Sequence, residues 1–422
     1  MTDAAPAPDT TAVQSRTVLT LMGSQTLGGI GVASGIAVGA IVAADVSGRD
    51  ALSGLATTTQ VLGGALFTIP VAALMGRHGR RLGLATAYLI GGVGAALAIA
   101  ATTLGAFWLL LVGTTLFGAS TTANSQARYA ATDLAVPERR GRQLSWVVWA
   151  TTIGSVLGPN MVGPGRAVAE VLGLPPLAGA WVFSFLGFFL AAVLLHVALR
   201  PDPLLTARRL AGVDTDVPAG RQGNVADGLR LIRATPTALW GTAVVTVGHV
   251  VMVSVMVMTP LHMRHGQAEI ELIGLVISLH ILGMYGLAPV TGQLTDRLGP
   301  RPVALLGVGL LVLACALAAL SHDGFSGGLT VALFLLGLGW SCTFVAGSGT
   351  VAGSVPVGQR ASVQGAADLV MGLTAALGGA LAGVVMDVFG YAVLCAVAAL
   401  AAVTLAAYTL LREDHERRPV GV

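Results

Sequence analysis

Two charged residues stand inside apolar runs of this chain. Arg128 lies in Asn124-Ser-Gln126-Ala-Arg128-Tyr129, and Asp368 lies in Gln364-Gly-Ala-Ala-Asp368-Leu-Val. A charge within an apolar segment is costly, and it marks a functional position by default. A carboxylate removed from water can take up and release a proton near neutral pH. Asp368 is the one carboxylate expected well inside such a segment. Thr121, Asn124 and Arg128 are spaced by three and four, so they share a helix face. That face would hold an anionic ligand or answer a titrating carboxylate, and Arg128 is expected to pair with Asp368 in one conformation. The competing reading of Arg128 is snorkelling toward water, because Asp133 follows closely. His249 and His280 are secondary proton or ligand candidates, since histidine titrates at about pH 6.5. Their alternative is hydrogen-bonded packing. Gln25 and Gln60 complete the polar candidates for a binding surface. Thr246, His249, Met252 and Met256 follow helical spacing, which suits a lipophilic ligand or a packed core.

With no lysine in the chain, a phosphate-binding loop ending in Gly-Lys-Ser/Thr is excluded. There is no paired-histidine zinc motif, and Gly347-Ser-Gly lacks the strand context of a nucleophile elbow. No enzyme activity, metal or cofactor is expected. The three cysteines, Cys315, Cys342 and Cys395, all fall in apolar runs and suggest no disulfide framework.

The elements that position these residues follow from composition. The chain has 422 residues, 55% apolar and 10% charged, with a net charge of +3. Its mean hydropathy is +0.81. A soluble domain carries about 25% charged residues, so this chain cannot clothe itself for water. Disorder and disulfide scaffolds are excluded by the same numbers. What remains is an all-α polytopic membrane protein. A crossing helix needs about 20 mostly apolar residues. Twelve runs qualify: 17–44, 52–74, 82–103, 107–132, 144–162 and 177–199, then 238–262, 272–294, 303–320, 329–349, 362–386 and 391–411.

All 23 basic residues are arginine. Nineteen lie in one set of loops and tails, three (Arg49, Arg166 and Arg264) in the opposite set, and Arg128 within a span. The positive-inside rule then places both termini in the cytoplasm. Residues 1–16 and 412–422 are expected to be cytoplasmic tails, and the N-terminal one lacks the basic start of a signal peptide. The segment 200–237 is expected to link a bundle over 17–199 to another over 238–411. The all-arginine set suggests a GC-rich bacterial genome and hence an inner membrane.

The two bundles are related. Shifted by 220 positions, Leu52–Arg81 falls on Leu272–Arg301 with nine of 30 positions identical, including Arg77/Arg297, Gly79/Gly299 and Arg81/Arg301. Gln60 falls opposite His280 in this repeat. Two parallel six-helix repeats form a clamp around a midplane cavity.

The loop after the eighth span reads Gly292-Gln-Leu-Thr-Asp296-Arg297-Leu-Gly299-Pro-Arg301. It resembles the signature Gly-x-Leu-x-Asp-Arg-x-Gly-x-Arg of the major facilitator superfamily. The first-repeat loop has Arg77, Gly79, Arg80 and Arg81, but Ala72 and Gly76 replace the glycine and the aspartate. The resemblance implies that these loops gate the cytoplasmic side, with Asp296 meeting a helix N-terminus. The arginines beside it would pair with carboxylates such as Asp133. Span five carries Gly154-x-x-x-Gly158-Pro159-x-x-Val162-Gly163, which resembles the motif Gly-x-x-x-Gly-Pro-x-x-Gly-Gly of proton-coupled exporters, with Val162 in place of one glycine. Thr114 stands where such exporters carry a span-four arginine. The resemblance covers the full chain and implies a twelve-helix secondary transporter that acts by alternating access, without cofactor, as a monomer. It favours proton-coupled export of a small organic compound. Uptake of a nutrient or vitamin, and a receptor built on the same fold, remain as alternatives.

Overall fold

A computed structural model describes residues 10–49, 52–212, 224–267, 269–322 and 324–417. Among them all regular structure is helical. Continuous apolar runs leave no other solution, because backbone groups in hydrocarbon must be satisfied within their own segment. Six long helices form the first bundle: Thr10–Ser47, Gly54–His78, Arg80–Leu104, Phe107–Ala130, Arg140–Asn160 and Ala178–Ala198. The second bundle has Pro236–His265, a composite eighth span, Pro300–Ala319, Gly327–Gly353, Arg360–Phe389 and Tyr391–Arg417. The eighth span joins Ile270–Ile281, a π-helical turn over Leu282–Gly286, and Ala288–Leu298.

Ten of these spans are long and apolar enough to cross a membrane by composition alone; spans four and five fall outside that set. Both carry polar side chains that face inward rather than toward lipid, including Asn124, Arg128 and Thr151.

Each bundle has its own core. In the first, Phe117 sits edge-on to Trp181 and to Phe188, with ring centroids 5.4 and 5.0 Å apart. The second is built around Trp340, Leu336, Val345 and their neighbours. A smaller core of Ala72, Tyr129, Val225, Ile232, Val363 and Ala367 lies where the bundles meet. Spans two and eleven pack together across this junction, as do spans five and eight.

The repeat is visible in the helix register. Arg80 and Pro300, Phe107 and Gly327, and Arg140 and Arg360 begin corresponding helices, each pair 220 residues apart. Gly79 and Gly299 both hold φ at +88°, with ψ at 174° and 161°. This region is open essentially to glycine alone. It turns the chain between spans two and three, and again between eight and nine.

The structure extends the helices beyond the expected span edges and adds short ones between them. The first helix begins at Thr10, not after residue 16, because Gln14 is buried and its Nε2 donates to the Ala131 carbonyl at 2.6 Å. A short helix, Val162–Val171, follows span five. Two more lie in the expected linker, Pro203–Leu210 and Val225–Ala234. Asp202 starts the former by accepting from the Leu204 and Leu205 amides at 3.0 and 3.1 Å. The expected C-terminal tail is helical to Arg417. Residues 1–9, 213–223 (with Arg221) and 418–422 (with Arg418) lie outside the described residues.

Gly299→Ala is expected to cost about 1–3 kcal/mol, because a Cβ is strained at this φ. Gly309 is helical with open space around it, so Gly309→Ala should be neutral or stabilising. Thermal melts of the detergent-solubilised variants separate the two; equal melts would refute the backbone argument.

Candidate functional site

A cavity of about 710 Å³ lies between the bundles. Gln25, Gln60, Thr121, Asn124, Arg128, His249 and Asp368 all line it. His280 does not. It is fully buried, with Nδ1 2.7 Å from the Leu333 carbonyl between spans eight and ten, so the expectation of a cavity-lining His280 is corrected. The span-seven stripe also divides: His249 and Met256 face the cavity, whereas Met252 is buried in the second core.

The floor of the cavity is an ion pair that joins the bundles. Arg128 Nη2 lies 2.5 Å from Asp368 Oδ1, and both side chains are almost wholly buried. Arg128 Nη1 donates to the Ser125 carbonyl at 2.6 Å and Nε to Ser348 Oγ at 3.1 Å. Its guanidinium lies over the rings of Tyr129 and Phe344, 4.4 and 4.3 Å from their centroids, and Nη2 also donates to the Tyr129 hydroxyl at 3.2 Å. The side chain is therefore enclosed by aromatic surface and does not snorkel. Asp368 also accepts from Gln126 Nε2 at 2.8 Å and from the Tyr129 hydroxyl at 3.4 Å. Among the described residues, every side-chain donor to this second-bundle carboxylate comes from span four of the first bundle.

The network continues toward the arginine loops. Gln126 Oε1 accepts from Arg80 Nη1 at 3.4 Å. Arg80 forms a two-pronged pair with Asp133, at 2.8 Å from Nε and 3.3 Å from Nη2. Gln364 Oε1, from span eleven, accepts from Arg80 Nη2. Arg360 Nη1 donates to the Asp133 carbonyl at 3.2 Å. Arg80 and the Asp133 carboxylate are fully buried. Between the cavity floor and the arginine loops the bundles are thus locked together, while Ile36 and Val61 on the lining, far from those loops, are exposed.

The two signature loops are fastened differently. Asp296 accepts from the Gly141 and Arg142 amides, both at 2.8 Å, at the N-terminus of span five. A carboxylate there satisfies orphan N–H groups and meets the positive end of the helix dipole. Gly292 makes the approach possible: a Cβ on it would strike Ser145 and lie 2.6 Å from the Gly141 carbonyl. In the first repeat Gly76 offers no carboxylate, and its carbonyl instead accepts from Arg208 Nη1 at 2.6 Å. Spans two and eleven meet there through Ala72 packed at Gly365. Arg77 and Arg297 are exposed at the helix ends. Arg301 donates to the Thr409 carbonyl, tying span nine to span twelve.

In the span-five motif, Gly154 lies directly against Gly29: a Cβ on Gly154 would stand 2.6 Å from the Gly29 backbone. Gly158 packs at Ala33 and accepts from Ser34 Oγ at 3.1 Å. Gly163 has open space around it. The Pro159 side chain lies outside the described residues.

Sequence reasoning missed Gln126, Gln364, Tyr129, Trp340 and Phe344 as site residues. A signal existed for two of them. Arg360, Gln364 and Asp368 are spaced by four on one helix face, and Gln126 stands two residues before Arg128.

Two helical bundles related by an internal repeat, clamped around a polar cavity with a buried ion pair, define a multi-pass membrane protein of the secondary-transporter class. The family profile described as "Major Facilitator Superfamily" matches residues 21–268 and 267–421, and the chain belongs to that family. It is 37% identical over 375 residues to the uncharacterized MFS-type transporter YdeG of Bacillus subtilis strain 168, covering 89% of this chain and 86% of YdeG. It is 28% identical over 385 residues to the riboflavin transporter RfnT of Brucella anthropi, covering 91% and 92%. Among solved structures, the human organic anion transporter MFSD10 (TETRAN) superposes with a TM-score of 0.72 at 17% identity, covering 93% of this chain and 98% of that one. That likeness concerns the fold.

A double-mutant cycle should expose the Arg80–Asp133 pair. Asp133→Asn leaves Arg80 without a counter-charge and is expected to destabilise by about 3–5 kcal/mol. Adding Arg80→Gln should recover part of that loss in thermal melts. Additive losses would mean that the two side chains do not act as a pair.

Proposed function

We propose that this protein is a proton-coupled exporter of a small organic compound, acting by alternating access in the inner membrane with both termini cytoplasmic. One observation carries the reading. Asp368, at the floor of the cavity, belongs to one bundle, and its three side-chain donors belong to the other. The charge of this carboxylate therefore weighs directly on the contact between the bundles. Ionised, it holds Arg128 and Gln126 and keeps the arginine-loop end shut. Protonated, it loses its attraction for Arg128, and that tie weakens. In the positive-inside orientation the shut end is cytoplasmic, so Asp368 takes its proton from the outside through the open cavity. Release to the cytoplasm after rocking restores the pair.

The remaining roles follow from position. Asp296 on the Gly141 and Arg142 amides, and Arg80 on Asp133 and Gln364, form the cytoplasmic latch. Gly292, Gly299 and Gly79 allow the close approaches and turns that the latch needs, while Arg77, Arg297 and Arg301 set topology and anchor the loops. The Gly29–Gly154 contact joins spans one and five into one wall, and the likeness of the span-five motif to that of exporters supports the outward direction. The relative named for riboflavin supports an organic cargo rather than an inorganic ion.

The test uses everted vesicles with an acidified lumen and a pH-sensitive dye. A transported compound should dequench the dye, and Asp368→Asn should abolish the response while the protein remains folded and inserted. Retained exchange in Asp368→Asn across the pH range would refute the proton role. Uphill accumulation of the compound in intact cells would replace export with uptake.

A further inference from the structure

We infer that the cavity selects an uncharged, planar aromatic compound that carries hydrogen-bonding groups along one edge. The inference rests on reading the cavity as the transport site and names what that site accepts.

The two walls of the cavity differ in chemistry. The first bundle contributes no aromatic ring to the lining, only amides, hydroxyls and small apolar groups beside Arg128. The second contributes Tyr285, Trp340 and Phe344. Trp340 stacks on Phe344, with centroids 4.3 Å apart at 22°, and meets Tyr285 edge-on at 5.4 Å. A flat ring laid against this wall gains stacking contacts, and its edge then faces the first bundle.

The opposing wall holds unused hydrogen-bonding capacity. Gln60 is only 7% exposed, and among the described residues no protein group hydrogen-bonds its side-chain amide. The amide lines the cavity, so both its donor and its acceptor are available to a ligand there. Asn124, also on the lining, accepts from the Tyr88 hydroxyl at 2.5 Å through Oδ1, so its remaining hydrogen-bonding capacity is the Nδ2 donor. Carbonyl and N–H groups on one edge of a ring match these two side chains.

Charge is excluded because the site is internally neutral. The charge of Arg128 is matched by Asp368, its other donors reach Ser125, Ser348 and the Tyr129 hydroxyl, and the rings of Tyr129 and Phe344 lie against the guanidinium. Both oxygens of Asp368 accept from side chains. His249 Nδ1 accepts from the Trp340 indole at 2.8 Å, which requires the neutral Nε2–H tautomer. A cation or an anion would shed its water and find no unpaired counter-charge.

Three tricyclic probes of similar size test the inference: neutral acridone, cationic N-methylacridinium and anionic anthracene-9-carboxylate. Their affinities would be measured by equilibrium dialysis against the full protein in nanodiscs at alkaline pH. Acridone should bind more tightly than either ion, and Gln60→Leu should weaken acridone by about tenfold or more, because its edge loses a buried partner. Equal or tighter binding of either ion, or no acridone binding, overturns the inference. So does an unchanged acridone affinity in folded Gln60→Leu. If that variant fails to fold, the ranking of the three probes on the unsubstituted protein decides alone. Acridone binding without flux in proteoliposomes would remove the transport reading and leave this one standing.

Discussion

The structure depends on one buried ion pair that spans two bundles. Holding Arg128 and Asp368 away from water is unfavourable for each alone, and their attraction repays that cost only if every remaining donor and lone pair is satisfied. The surroundings meet that demand. Ser348, Ser125, Gln126 and Tyr129 take up polar positions, and two aromatic rings lie against the guanidinium. Because these groups come from both bundles, satisfying the pair and joining the bundles are the same event. The Gln126 amide then extends the contact to Arg80 and Asp133, so the cavity floor and the loop latch form one hydrogen-bonded body.

The internal repeat explains how such a pair can arise in a nearly symmetric fold. Arg128 and Ser348 occupy equivalent positions in spans four and ten, and they bond to one another across the pseudo-symmetry axis. One copy has kept the charge, and the other a small hydroxyl that receives it. The same division runs through the cavity, where the first bundle supplies amides and hydroxyls and the second supplies rings. The helix starts and the strained glycines retain the symmetry, so the backbone repeats while the chemistry diverges.

Much of this was legible from particular residues. The apolar runs located the spans, and a charge inside a span is conspicuous enough that Arg128 and Asp368 announced themselves. The Asp296 loop could be matched to a helix N-terminus before any geometry was known. Neutral residues were harder to read. Gln126 and Gln364 carry no cost that makes them stand out, and Trp340 looks like any aromatic residue of a packed core until its neighbours are known. His280 failed as a site residue because hydropathy gives the span but not the face, and its face turns toward Leu333. The helix Pro203–Leu210 has a readable start in Asp202-Pro203, yet the polarity of the surrounding segment hides it within a linker.

The two signature loops hold the closed end by forces of different kinds. On one side a carboxylate grips a helix terminus. On the other, where Gly76 replaces that carboxylate, Ala72 and Gly365 pack beside the buried, water-excluded contact of Arg80 with Gln364. Ionic strength reaches the half-exposed Asp296 and screens its grip, while the packed contact is indifferent to salt. Packing instead follows the temperature dependence of apolar burial and van der Waals contact. The clamp therefore opens with unequal compliance: salt loosens it along spans five and eight, and heat or added side-chain volume along spans two and eleven. A molecule whose helices repeat almost in register is thus mechanically one-sided.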